Sequence, residues 1–216
     1  GLGDVYKRQV SCNIYGTIRE PRCWSPEHPD LYGMETWYET TDEDGKKISY
    51  LADTQKVGIR VAEFDADRGF FLNGVPMKIK GVCVHHDAGC LGAAVTKEIW
   101  HRRLAKLKEC GCNAIRCSHN PHMPELYELC DTMGFLVMDE AFDYWYRMKS
   151  PNSPYNRYFM QDFKVDTAAM VQDAYNHPSV VIYSIGNEIP ESYGHCDGDE
   201  WSARLTAEIK KYDCLL

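Results

Sequence analysis

The sequence predicts an α/β fold, the N-terminal half of a (β/α)8 TIM barrel preceded by the end of a β-sandwich. Three observations carry that expectation. From Phe70 onward, short apolar runs alternate with helical stretches four times in succession. Each apolar run ends in a cluster of polar, chemistry-bearing side chains, which is the placement expected at the C-terminal rim of a barrel. Before Glu63 the pattern consists of alternating strand-like segments and turn signals, with no helical period.

The elements follow in order. Residues 1–9 (GLGDVYKRQ) have no initiator Met and no apolar period, and they resemble translated adapter sequence, so they are set aside from the fold. The terminal Cys214-Leu215-Leu216 interrupts a charged stretch and is assigned the same origin; the chain is expected to be a fragment. Residues 10–66 are expected to form the partial sandwich: 35–40 (ETWYET) alternates as a strand, 42–45 is a turn, and 56–61 (KVGIRV) is a second strand. Residues 67–216 are expected to form the partial barrel. Here 70–76 reads as a strand and turn, and 77–84 (MKIKGVCV) as the first buried strand. Residues 96–110 set Ile99, Trp100, Leu104 and Leu107 on one helical face, behind a Thr96 cap with Glu98 in the first turn. A strand at 113–116, a helix at 124–133 closed by Gly134, a strand at 135–139, a helix within 159–176, a strand at 180–185 and a helix at 201–211 complete four β/α units. Units in that order imply a parallel sheet.

Composition narrows the partners. A formal net charge of -8 argues against a nucleic-acid or anionic-membrane surface, and no stretch approaches a membrane span. Neutral or polar small molecules fit better. The ten cysteines are scattered singly, without the paired spacing of a zinc site, and are expected to act mainly as small buried apolar residues in a reducing environment.

Four motifs carry chemistry. In Asn176-His177-Pro178-Ser179-Val180-Val181-Ile182-Tyr183-Ser184-Ile185-Gly186-Asn187-Glu188, a doubly buried strand runs into an Asn-Glu pair, which presents Glu188 at the barrel rim. His85, His86 and Asp87 follow the first strand; imidazoles that donate and accept, beside a carboxylate, suit a hydroxyl-rich ligand. A His-His-Asp metal cluster or a polar helix-capping loop are the alternatives. Arg116 and His119 close the second strand, where Arg116 either orients an active carboxylate or sits in a structural ion pair. After the third strand, Asp139 or Glu140 is placed to hold an inter-strand polar network, with Asp143 and Trp145 reaching the pocket and Trp145 offering a stacking face or serving as core.

The ordered set GIR (58–60), FFLNG (70–74), IKGV (79–82), HHD (85–87), NAIRCSHNP (113–121), CDTMGFLVMDEAFD (130–143) and NHPSVVIYSIGNE (176–188) resembles glycoside hydrolase family 2 over nearly all of residues 23–213. That family holds β-galactosidases, β-glucuronidases and β-mannosidases, and its architecture of a jelly-roll domain, an immunoglobulin-like domain and a catalytic barrel implies that the partial sandwich at 10–66 is the end of an immunoglobulin-like β-sandwich. The resemblance implies that Glu188 is the general acid/base, that Asn187 contacts the sugar 2-hydroxyl, and that His85, Asp87, Arg116, His119 and Asp143 bind substrate. Two departures are Tyr183, where Trp is usual, and Asn120, where Tyr is common. Magnesium-dependent members carry a carboxylate and a His where Tyr144 and Tyr146 stand, so no metal is expected at that site and no cofactor elsewhere.

The implied reaction is retaining hydrolysis of terminal β-linked sugars, which needs two carboxyls about 5 to 5.5 Å apart. Glu188 is one; the family's nucleophile comes from a later strand, so the fragment itself is expected to be inactive. The HHD and DEAFD segments resemble β-galactosidases more than β-glucuronidases. The alternatives are a β-glucuronidase or other family 2 exo-glycosidase, and a barrel that binds carbohydrate without turning it over. The expected partner is a carbohydrate substrate, with a homo-oligomer of the full-length parent left open. Because half a barrel leaves two open sheet edges and an exposed apolar interior, residues 10–213 alone are expected to be insoluble or molten.

Overall fold

The computed structural model describes residues 13–152, 154–193 and 196–213. Its centre is a parallel sheet of four strands in sequential order: β6 (Gly81–His85), β7 (Ala114–Ser118), β8 (Leu136–Glu140) and β9 (Val180–Ser184). Three helices cross between these strands, α1 (Lys97–Glu109), α2 (Pro124–Met133) and α3 (Asn156–Ala174), and α4 (Gly198–Ile209) follows β9. This is a partial (β/α) barrel. Each strand is shifted or shortened from its expected span by a few residues, most at β6, where residues 77–80 lie outside the parallel pairing.

The sheet sorts its side chains by the period of two. On the outer face, Ile115, Cys117, Val137 and Val180 pack with Trp100 and Leu104 of α1 and Leu126, Tyr127 and Cys130 of α2. Thr96 holds the N-cap position of α1 as expected, but its hydroxyl makes no capping bond. Gly134 ends α2 as expected, at φ +71°, and a Cβ there would stand 2.3 Å from the Pro26 carbonyl oxygen, so only glycine fits. A second core lies under α3 and α4, where Phe142, Trp145, Phe159, Met170, Trp201 and Leu205 meet.

β8 and β9 are joined through a bulge. Val137 pairs with Val180 but Met138 pairs with Ile182, so Val181 is the extra residue. Beyond it, Ser184 faces Glu140 on the inner side, where a regular register would have turned it outward.

Before the barrel, β1 (Tyr32–Thr41) and β2 (Lys47–Val57) form an antiparallel hairpin, and β3 (Ala62–Asp65), β4 (Gly69–Leu72) and β5 (Val75–Pro76) form a small sheet. The hairpin lies within the 10–66 segment, whereas the small sheet runs on to Pro76, past the boundary expected at residue 66. The strand expected over 56–61 is a correction: pairing ends at Val57, because the segment after it straps onto the barrel. There the Arg60 guanidinium donates to the carbonyls of Pro178 (3.0 Å) and Val180 (2.5 Å). Phe70 and Leu72 of β4 join Trp24 against Ala114, Leu136 and Val181, closing the N-terminal end of the sheet.

All eight described cysteines are free. Cys117 and Cys130 are buried as expected, whereas Cys83, Cys90 and Cys110 are exposed, Cys83 on the inner face of β6 and the others at a turn and a helix end. Residues 1–9, Cys12 and Cys214 lie outside the described residues. No described helix is long and apolar enough to cross a membrane.

Candidate active site

The C-terminal ends of β7, β8 and β9 bring their polar side chains into one network. Arg116, Glu140 and Ser184 all project from the inner face, and Glu140 is fully buried between the other two. Its Oε2 accepts from Arg116 Nε (3.0 Å), Arg116 Nη2 (2.6 Å) and Ser184 Oγ (2.6 Å). Oε1 lies 2.7 Å from His119 Nδ1, which must carry the ring proton to face a carboxylate. A buried carboxylate costs several kcal/mol of lost hydration unless it is paired, and here four donors replace water.

From Arg116 the network runs outward. Its Nη2 donates to Asn187 Oδ1 at 2.9 Å, and Asn187 Nδ2 donates to Asp143 Oδ1 at 3.0 Å, so both ends of the amide are fixed. Lys149 Nζ then bridges Asp143 Oδ1 (2.7 Å) and Glu188 Oε2 (2.6 Å). Charge alternates along the whole path, Glu140, Arg116, Asp143, Lys149, Glu188. Burial pushes the Asp143 carboxyl up, but hydrogen bonds from Lys149 and Asn187 outweigh it and hold the group below its ordinary value. The Arg116 guanidinium also stands 3.5 Å from Cys83 Sγ and holds that thiol below its usual range.

The turn carrying Asn187 and Glu188 is tightly fitted. A Cβ on Gly186 would fall 2.5 Å from Ile189 Cδ1 and 3.0 Å from Trp145 Nε1. Glu188 N donates to the Asp143 carbonyl at 3.0 Å, which ties this turn to the loop after β8. The Glu188 side chain itself is 70% exposed.

Beside the network is a cleft of about 740 Å³ between the loops after β6, β7 and β8 and the flank of α3. That volume suits a small polar ligand. His85, Asp87, His119 and Asp143 line it, and the His85 and His119 rings meet edge-on at 5.2 Å. Asp87 is 66% exposed and lies 3.6 Å from Arg103 of α1, so it joins the wall but not the network. Arg116, Asn187 and Glu188 do not line the cleft; they connect to it through Asp143.

At three positions the structure selects among the alternatives the sequence leaves open. Arg116 is in the structural ion pair, with Glu140, beside His119. Trp145 offers no stacking face: it is 1% exposed, and its indole N–H donates to the Ile185 carbonyl at 2.7 Å beneath the turn. Asp139 is turned away from the network toward α2, where Tyr127 Oη donates to it at 2.8 Å. Lys149 and Ser184 were not anticipated. Neither had a local signal: Ser184 faces inward only because of the bulge at Val181, and Lys149 is a single Lys in an irregular loop.

The metal reading of His85, His86 and Asp87 finds no donor set: among the described residues no three His, Cys, Asp or Glu converge as ligands. Tyr144 and Tyr146, where magnesium-dependent members of the resembling family place ligands, use their hydroxyls within the protein. Tyr144 Oη accepts from Tyr155 N at 3.1 Å, and Tyr146 Oη donates to Asp197. Neutral phenols so engaged do not fit a hard dication.

Comparison with known proteins gives this arrangement its context. The model of the glycosyl hydrolases family 2 TIM barrel domain matches residues 65–214. The chain is 46% identical over 186 residues to the β-galactosidase BoGH2A of Bacteroides ovatus, covering 86% of this chain and 21% of that protein. It is 40% identical over 171 residues to a putative β-glucuronidase of Formosa agariphila, covering 79% and 16% respectively. Among solved structures, a β-glycosidase from Bacteroides vulgatus superposes with a TM-score of 0.79 at 39% identity, over 92% of this chain and 24% of that one. A β-galacturonidase from Eisenbergiella tayi bound to galacturonate superposes at 0.71 with 28% identity, over 89% and 32%. The chain thus spans about a fifth of the length of the curated relatives it matches. By a family match over well above half its residues, this chain belongs to glycosyl hydrolase family 2 and carries part of that family's TIM-barrel domain.

Proposed function

We propose that the whole protein is a retaining exo-β-glycosidase acting on β-galactosides, to which this segment contributes the acid/base carboxylate and much of the sugar-binding wall. The observation that carries the reading is the path from buried Glu140 through Arg116, Asn187 and Asp143 to Glu188. It holds the Asn-Glu pair in one geometry beside a cleft lined with groups that bond hydroxyls.

Each residue then has a task. Glu188 protonates the departing glycosidic oxygen and later takes a proton from the attacking water. Asn187, fixed at both ends of its amide, meets the sugar 2-hydroxyl, and His85, Asp87, His119 and Asp143 bond the remaining hydroxyls. Arg116 orients Asn187 while neutralising Glu140. The nucleophile, about 5 to 5.5 Å from Glu188 in a retaining enzyme, is assigned to a strand outside this sequence. Glu140 is ill placed to serve, because it is fully buried and both its oxygens are bonded within the protein.

A neutral sugar is favoured because, among the described residues, Asp87, Asp143, Asp166 and Asp173 line the cleft and no Lys or Arg does. A uronic acid would bring its own carboxylate into that wall. The β-glucuronidase reading is supported by the likeness to the putative β-glucuronidase of Formosa agariphila. Strands β1, β2 and β3 are read as the end of an immunoglobulin-like domain reaching residue 66.

The test is kinetic and uses the whole protein. Glu188→Gln is expected to depress hydrolysis of galactosides with poor leaving groups far more than hydrolysis of activated aryl galactosides, since only the former need protonation. Equal losses on both would remove Glu188 from the acid role, and sugar binding without turnover in the unmodified protein would favour a non-catalytic barrel.

A further inference from the structure

We infer that Lys149 is a positioning residue for the acid/base carboxylate, holding the Glu188 side chain in its working rotamer through a bridge to Asp143. The inference rests on the reading of Glu188 as acid/base.

The backbone of Glu188 is fixed twice, by the packed turn at Gly186 and by the bond from Glu188 N to the Asp143 carbonyl. Its side chain is not fixed in either way. It is 70% exposed, and Lys149 Nζ, at 2.6 Å, is its one side-chain partner among the described residues. A glutamate so exposed otherwise samples several rotamers, while proton transfer needs its oxygen within hydrogen-bond reach of the glycosidic oxygen.

Lys149 can do this because it is itself anchored. Asp143 holds its ammonium at 2.7 Å, and Arg147 N, two residues before it, donates to the buried Glu191 carboxylate at 2.7 Å. The loops after β8 and β9 are therefore stitched at several points among the described residues, of which the Lys149 bridge is the one that reaches the Glu188 carboxylate. Burial works against its charge, but the two carboxylates hold its ammonium above the ordinary lysine range. Without that cation, Asp143 and Glu188 would face each other as like charges and move apart.

A double-mutant cycle in the whole protein tests the inference across aryl and alkyl galactosides of graded leaving-group ability. Lys149→Met is expected to lower kcat/KM roughly 10- to 100-fold on poor leaving groups, mainly through kcat, with a smaller loss on activated ones. Lys149→Arg, which can still bridge both carboxylates, is expected to recover most of the rate. Combined with Glu188→Gln, Lys149→Met is expected to cost nothing further, because the group it positions is already gone. Equal loss across the series, full additivity with Glu188→Gln, or no loss at all would overturn the role. Lys149→Gln carries the same comparison if the methionine variant does not fold. An unselective Glu188→Gln would sink the acid/base reading itself, whereas a selective Glu188→Gln beside an unselective Lys149→Met would sink only the positioning role.

Discussion

Asp139 and Glu140 are adjacent carboxylates that the pleat of β8 sends to opposite faces of the sheet. Glu140 meets a guanidinium, a hydroxyl and an imidazole on the inner side, while Asp139 meets the Tyr127 hydroxyl in an apolar layer that includes Cys117 and Cys130. Burial pushes the Asp139 carboxyl up to about 7, against the opposing pull of its hydrogen bonds from Tyr127 and the Glu140 backbone. The folded state therefore binds a proton that the unfolded state releases near 4, as a free Asp does. This contribution to stability is fully present below the unfolded value and is lost as pH rises through about 7. Asp139→Asn keeps an acceptor for Tyr127 and removes the ionisation. In the whole protein, urea titrations are expected to show it gaining stability relative to the native protein on going from about pH 5 to about pH 8. A difference in stability independent of pH would show that Asp139 does not titrate in that window.

At the scale of elements, legibility followed from how far a signal depends on its neighbours in sequence. The strand ends bearing Arg116, Glu140 and Asn187 could be read in advance because a buried strand is a local apolar run and its polar terminus marks the rim. α2 was read to the residue, since Pro124 opens it and Gly134 closes it. What failed was settled by tertiary contact. The 58–61 segment has strand-like residues, but Arg60 finds its acceptors on β9, over a hundred residues away. Trp145 looked available to a ligand until the turn at Gly186 closed over its indole. The bulge at Val181 left no local mark either, although it is what turns Ser184 toward Glu140. Lys149 was invisible because its meaning comes from two carboxylates on separate loops.

For the whole molecule, the consequence is an open sheet. β6 and β9 each pair on one side only among the described residues, and Ile79 and Val82 at the β6 edge are left exposed. Unpaired strand edges and uncovered apolar side chains together favour association over a unique monomeric fold. Residues 10–213 expressed alone are expected to be insoluble or to melt without cooperativity; a sharp cooperative transition of a monomer would contradict this. The proposed catalysis accordingly needs the closed barrel, and the acid/base role proposed for Glu188 is tested there by chemical rescue. With Glu188→Ala in the whole protein, a galactosyl-enzyme formed from an activated aryl galactoside is expected to accumulate for want of a base, and azide, which needs none, to displace the enzyme carboxylate from the anomeric carbon. Azide is then expected to restore turnover and to give the β-galactosyl azide by NMR; the α-azide would make Glu188 the nucleophile instead, and absence of rescue would take it out of the chemistry altogether.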